Sequence, residues 1–218
     1  MKLSKQNSYW RYLAVISLIT IVEFLISAPA FAHHPLDGGL PANFFEGIMS
    51  GLGHPVIGFD HLAFVIASGL LALGITGGIL VPIALVIATG IGAGIHLAAI
   101  DLPIPEVIIA ASVVLFGVLL VVNNQHKTSN YSLMVITLAG LAGIFHGYAY
   151  GEGIFGAEPT PTVAYLIGFT IIQLAISLGT YVLASQLIKT IPFKYIARFA
   201  GGAIASCGIV FLSSAVVG

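Results

Sequence analysis

His54-Pro55-Val56-Ile57-Gly58-Phe59-Asp60-His61 opens a run that continues without charge from Leu62 to Gly74. A helix crosses the bilayer core with about 20 apolar residues, and this stretch is long enough to do so. An ionisable side chain at membrane depth costs roughly 2.5–3.5 kcal/mol on insertion scales, so such residues are rare and functional by default. Here two histidines and an aspartate arrive together. Any account of the chain has to explain Asp60 and His61 inside a membrane.

Composition extends that reading to the whole chain. Of 218 residues, 58% are hydrophobic and 7% charged, and the mean hydropathy is +1.08. Soluble domains carry about 25% charged residues. The fold class is therefore all-α, a polytopic membrane helix bundle with the lipid bilayer as its surroundings. A net charge of −1 gives no reason to expect a nucleic-acid partner. The single cysteine, Cys207, excludes an internal disulfide framework and a multi-thiolate metal site. Three methionines are too few for a thioether copper path. No Gly-x-x-x-x-Gly-Lys loop is present, so nucleotide hydrolysis by this chain is not expected.

Residues 1–32 read as a signal peptide. Lys2, Lys5 and Arg11 form the basic end, Leu13 to Val22 the apolar core, and Ala30-Phe31-Ala32 the cleavage signal. Glu23 is awkward there, and an uncleaved first helix is the alternative. In both cases His33 emerges outside. His33-His34-Pro35 would then form a new terminus whose amine and imidazoles can chelate a metal, or a plain polar end. Phe44 to Leu52 reads as an amphipathic lead-in helix, broken by Gly51, Gly53 and Pro55.

Residues 33–218 read as one domain with six spans, near 55–74, 79–98, 104–122, 131–150, 163–187 and 197–217. Gly90-x-x-x-Gly94 and Gly143-x-x-x-Gly147 offer small-residue faces for close packing, as do Gly201, Gly202, Ala205 and Gly208. With His33 outside, Lys127, Lys189, Lys194 and Arg198 all fall on the cytoplasmic side, as the positive-inside rule requires. The mature acidic residues fall outside or in the outer half of a span. The expected location is the bacterial inner membrane, with the mature N-terminus periplasmic.

This topology gathers residues that are far apart in sequence. His61, His96 and His146 fall on three spans roughly 6–9 Å below the outer surface at 1.5 Å rise per residue. His54, Asp60 and Glu152 flank them. His126 alone is cytoplasmic. Imidazole with carboxylate suits Ni(II), Co(II), Zn(II) or Fe(II), in the neutral imidazole form. On a straight helix His54 and His61 lie about 10 Å apart, too far to share an ion unless Gly58 unwinds the segment. Asp60 can be a ligand, a partner fixing an imidazole or a proton acceptor. Tyr148, Tyr150 and Tyr165 read as an interfacial aromatic belt, Gln173 as glue between helices, and Cys207 as packing.

His54-Pro55, with Asp60-His61 four residues further on, resembles the HupE/UreJ family signature. So does Phe145-His146-Gly147-Tyr148-Ala149-Tyr150-Gly151-Glu152. The resemblance covers most of the chain. It implies a cleaved signal peptide, six spans and nickel uptake for hydrogenase or urease, with cobalt in some members. By the same resemblance His54, Asp60, His61, His146 and Glu152 are the transport residues. Tyr150 stands where many members carry a second histidine, which leaves the metal open.

The reading is a secondary permease that takes Ni(II), with Co(II) next, from the periplasmic side through His54, Asp60, His61, His96, His146 and Glu152. No cofactor is permanently bound; the divalent ion is the cargo. A homo-oligomer is left open. The rival is an intramembrane metallohydrolase, with histidines and Asp60 around a metal-bound water. A permease needs polar relays in the inner half of the bundle, for which Gln173, Ser177 and Thr180 are the candidates. A metal-sensing or assembly subunit is the third reading.

Overall fold

The computed structural model describes residues 39–122 and 128–217. The signal-peptide reading, His33-His34-Pro35, and His126 with Lys127 lie outside the described residues. Among those described there are seven α-helices and no strand: α1 (Phe44–Ile57), α2 (Phe59–Gly74), α3 (Leu80–Leu97), α4 (Pro105–Val122), α5 (Ser129–Glu152), α6 (Pro159–Leu187) and α7 (Phe193–Val217). The last five are long and apolar enough to cross a membrane, and α1 and α2 qualify only as a pair. The protein is a helical membrane protein. Its outward faces carry Ile87, Val118, Leu141, Ile171, Leu183 and Ile209, the surface that lipid covers.

The first span is not one helix. α1 and α2 meet at Gly58 with a bend of 79°. The lead-in helix therefore does not stop at Gly51, Gly53 or Pro55 but runs on to Ile57. Packing explains the difference. Gly51 lies against the backbone of Tyr165 and Phe169 on α6, and Gly168 of α6 lies against Ile48 and Leu52. Bare backbones in contact hold α1 helical through residues of low propensity. Its start is secured by a reciprocal cap. Asn43 Oδ1 accepts from the Glu46 N–H (3.0 Å), while Glu46 accepts from the Ala42 N–H (2.8 Å).

The break then follows from local chemistry. Pro55 has no N–H to extend the hydrogen-bond ladder. Gly58 adopts an extended φ of −73° and ψ of 100°. Restarting a helix leaves N–H groups that lipid cannot solvate. Asp60 Oδ1 accepts from the His61 N–H at 2.8 Å, and its charge favours the positive end of α2.

Packing partners are seldom sequence neighbours. α1 lies along α6, α3 along α5, and α4 along α7. Gly143, Gly147 and Gly151 of α5 meet Leu85, Thr89 and Ala93 of α3 in rising order, so these two helices run parallel. Gly117 of α4 meets Gly201 and Ala205 of α7, and Gly208 meets Val114, so that pair is antiparallel. The Gly143/Gly147 and Gly201/Gly208 faces thus pack closely. Gly90 and Gly94 do not: nothing lies within 4 Å of a Cβ built there. The contact belongs to Gly92, which meets the Ile144 backbone, because positions 85, 88, 89 and 92 share the helix face turned to α5.

Candidate functional site

The break brings His54 and His61 together. Their ring centroids are 5.8 Å apart, where a continuous helix would hold them about 10 Å apart. His61 faces His146 of α5, with Nδ1 to Nδ1 at 2.8 Å. The His146 ring stacks on Phe64 at 4.2 Å and 16°. His54, His61 and His146 are all buried.

The hydrogen-bond network assigns the ring protons. Ser112 Oγ donates to the Ile109 carbonyl (2.7 Å), so it accepts from His146 Nε2–H (2.9 Å). His146 Nδ1 is then the acceptor, and His61 Nδ1–H donates to it. The same logic holds at the other end. Tyr165 O–H donates to the Tyr150 carbonyl (2.8 Å), so His54 Nδ1–H donates to Tyr165 Oη (2.6 Å). A neutral imidazole has one donor and one acceptor nitrogen. His54 and His61 therefore both carry their lone pair on Nε2. Metal-binding histidines are commonly held this way, with the far N–H anchored to a partner.

Tyr150 closes the space between the rings, 5.1 Å from His54 and 4.6 Å from His61 between centroids. Tyr150 and Tyr165 are 1% and 0% exposed. They are not an interfacial belt. They line the histidine cluster, because Ala93, Ile154 and Phe169 pack around them. Nothing in their own sequence neighbourhood marks that burial. Ser112 was also missed. Its signal was a lone hydroxyl in the apolar run from Val107 to Val122.

His96 does not join the cluster. Its ring packs on Tyr148 at 4.4 Å and Phe155 at 5.4 Å. Its Cβ lies by Gly151, five residues along α5 from His146 and so about 7 Å nearer the Glu152 end of that helix. Glu152 is exposed, the last residue of α5. The next residue, Gly153, lies against the His54 ring, with 2.9 Å from a built Cβ to Nδ1. Among the described residues no three His, Cys, Asp or Glu side chains form a ready ligand set. The geometry offers a pair of oriented histidines with a third behind them.

A family profile described as HupE / UreJ protein matches residues 20–211. The chain belongs to the HupE/UreJ family. A curated relative, Protein HupE of Rhizobium leguminosarum bv. viciae, is 30% identical over 202 residues, covering 90% of this chain and 97% of the relative. No solved structure matches.

Proposed function

We propose that this HupE/UreJ protein is a secondary permease for a divalent transition-metal ion, Ni(II) first and Co(II) next, and not an enzyme. It sits in the bacterial inner membrane and takes the ion from the periplasmic side. The observation that carries this reading is the broken first span. Discontinuous helices are how transporters place ion sites at membrane depth. Here the discontinuity turns two histidines, on either side of Gly58, toward each other.

His54 and His61 bind the ion through Nε2, and Asp60 supplies negative charge beside them. His146 positions His61 by accepting its Nδ1–H. Glu152 and His96, nearer the outer end, serve capture. Imidazole nitrogen with carboxylate oxygen suits Ni(II) and Co(II), and the shortage of thiolate turns the site away from Cu(I). The nickel assignment itself rests on the family resemblance.

Uptake of radioactive Ni(II) into proteoliposomes, with Co(II) and Zn(II) as competitors, tests the proposal. Saturable uptake inhibited by Co(II) supports it. Hydrolysis of a lipid or amide without uptake would establish the rival. Orientation is checked separately. A cysteine at Asn130 should react only from the cytoplasm, and one at Thr160 only from outside.

A further inference from the structure

Below the histidines, the buried face of α6 carries Gln173 and Ser177, both 0% exposed, facing Thr89 of α3 and Ser68 of α2, also 0% exposed. Gln173 Nε2 donates to Thr89 Oγ1 at 3.3 Å and to the Phe169 carbonyl at 3.1 Å. Ser68 and Ser177 hydroxyls lie 2.7 Å apart. The two pairs are in line with the site. Thr89 packs on Gly147, the residue after His146. Ser68 lies two turns beyond His61 on the same face of α2, about 10 Å deeper.

Their protons can be counted. Ser68 donates to the Val65 carbonyl, so Ser177 donates to Ser68. Thr89 donates to the Val86 carbonyl, so it accepts from Gln173. Both Gln173 N–H groups are used. Every donor in the group is committed, and what is left over is oxygen lone pairs. One of them, Gln173 Oε1, is buried without any hydrogen-bond partner. An unpaired buried acceptor is costly and calls for an explanation. A group that can only accept suits a cation and repels an anion.

We propose that Gln173 Oε1, Thr89 Oγ1, Ser68 Oγ and Ser177 Oγ form a second, weaker cation station through which the divalent ion passes from the histidines toward the inner face. The proposal rests on the permease reading. Amide and hydroxyl oxygens bind a transition metal more loosely than imidazole, and conduction requires sites that the ion can leave. The ion supplies the partner that Gln173 Oε1 lacks.

The test compares full-length wild type with Gln173→Met, which keeps the length and removes the oxygen, and Gln173→Glu, which keeps it. Ni(II) binding to purified protein and Ni(II) uptake into proteoliposomes are both measured. Gln173→Met should lower maximal uptake about tenfold or more, with binding and half-saturating Ni(II) changed less than about twofold. Gln173→Glu should carry more than Gln173→Met. If Gln173→Met does not insert, Ser68→Ala combined with Ser177→Ala should show the same split between flux and binding. Wild-type flux per inserted protein in these variants overturns the proposal, as does loss of binding together with flux. A wild type that binds Ni(II) but never carries it removes the permease reading and the station with it.

Discussion

Between α4 and α7 glycine lets two helices touch, whereas between α1 and α2 it lets one helix turn. Gly117, Gly201 and Gly208 bring two helices to backbone contact, and Val113, Phe116, Leu120, Ala197 and Ile204 of the same helices are buried in the apolar core. At Gly58 the missing Cβ admits the His61 ring instead: a Cβ built there would lie 2.7 Å from His61 Cδ2 and 3.3 Å from Asp60 Oδ1. In one region glycine brings two backbones together; in the other it lets the chain turn so that His54 and His61 face each other. A membrane protein can afford a polar break where surrounding helices satisfy its backbone and side chains.

The largest effect expected from breaking this contrast is at the histidines. His61→Ala should abolish Ni(II) uptake while the protein still inserts, seen by comparing uptake with membrane-extracted protein. His146→Ala removes a partner that orients His61, and should weaken Ni(II) binding about 10–100-fold by calorimetry. Equal loss in both variants would make His146 a ligand in its own right.

Gly58→Ala comes next. Its backbone angles suit any residue, so the helices should form, but the new methyl crowds His61. Binding should weaken about tenfold, with stability reduced by no more than about 1 kcal/mol. Gly201→Ala should do the reverse. Its Cβ would lie 2.6 Å from the Gly117 carbonyl oxygen, costing roughly 1–3 kcal/mol in thermal or denaturant unfolding while Ni(II) affinity per folded protein holds. If Gly201→Ala changed affinity as much as Gly58→Ala, the two regions would not be separate.

Tyr165→Phe removes only the hydroxyl that anchors His54, and should raise the half-saturating Ni(II) concentration about three- to tenfold with maximal uptake kept. Smallest of all is Gly90→Ala, whose methyl meets open space. It should leave transport unchanged and shift stability by less than about 1 kcal/mol, toward greater stability if anything.

Hydropathy and charge in the sequence were enough for the membrane class, the helix positions beyond Gly74 and the alternation of helix direction, because lipid imposes those requirements on each segment separately. The residue types at positions 54, 60, 61 and 146 were enough to point at the family. Which residues meet was decided only in the folded bundle. His61 and His146 are 85 positions apart, and whether His96 sits at their level depends on how α3 slides along α5, which the Gly92 and Gly147 contacts set. Gly90 and Gly92 look alike in sequence, and one faces open space while the other faces a backbone. The proton pattern across Ser112, His146, His61, His54 and Tyr165 exists only once five helices are packed, since each donor is assigned by a partner on another helix or turn. That is why the sequence could single out His54, His61 and His146 without saying which nitrogen of each ring would carry the proton.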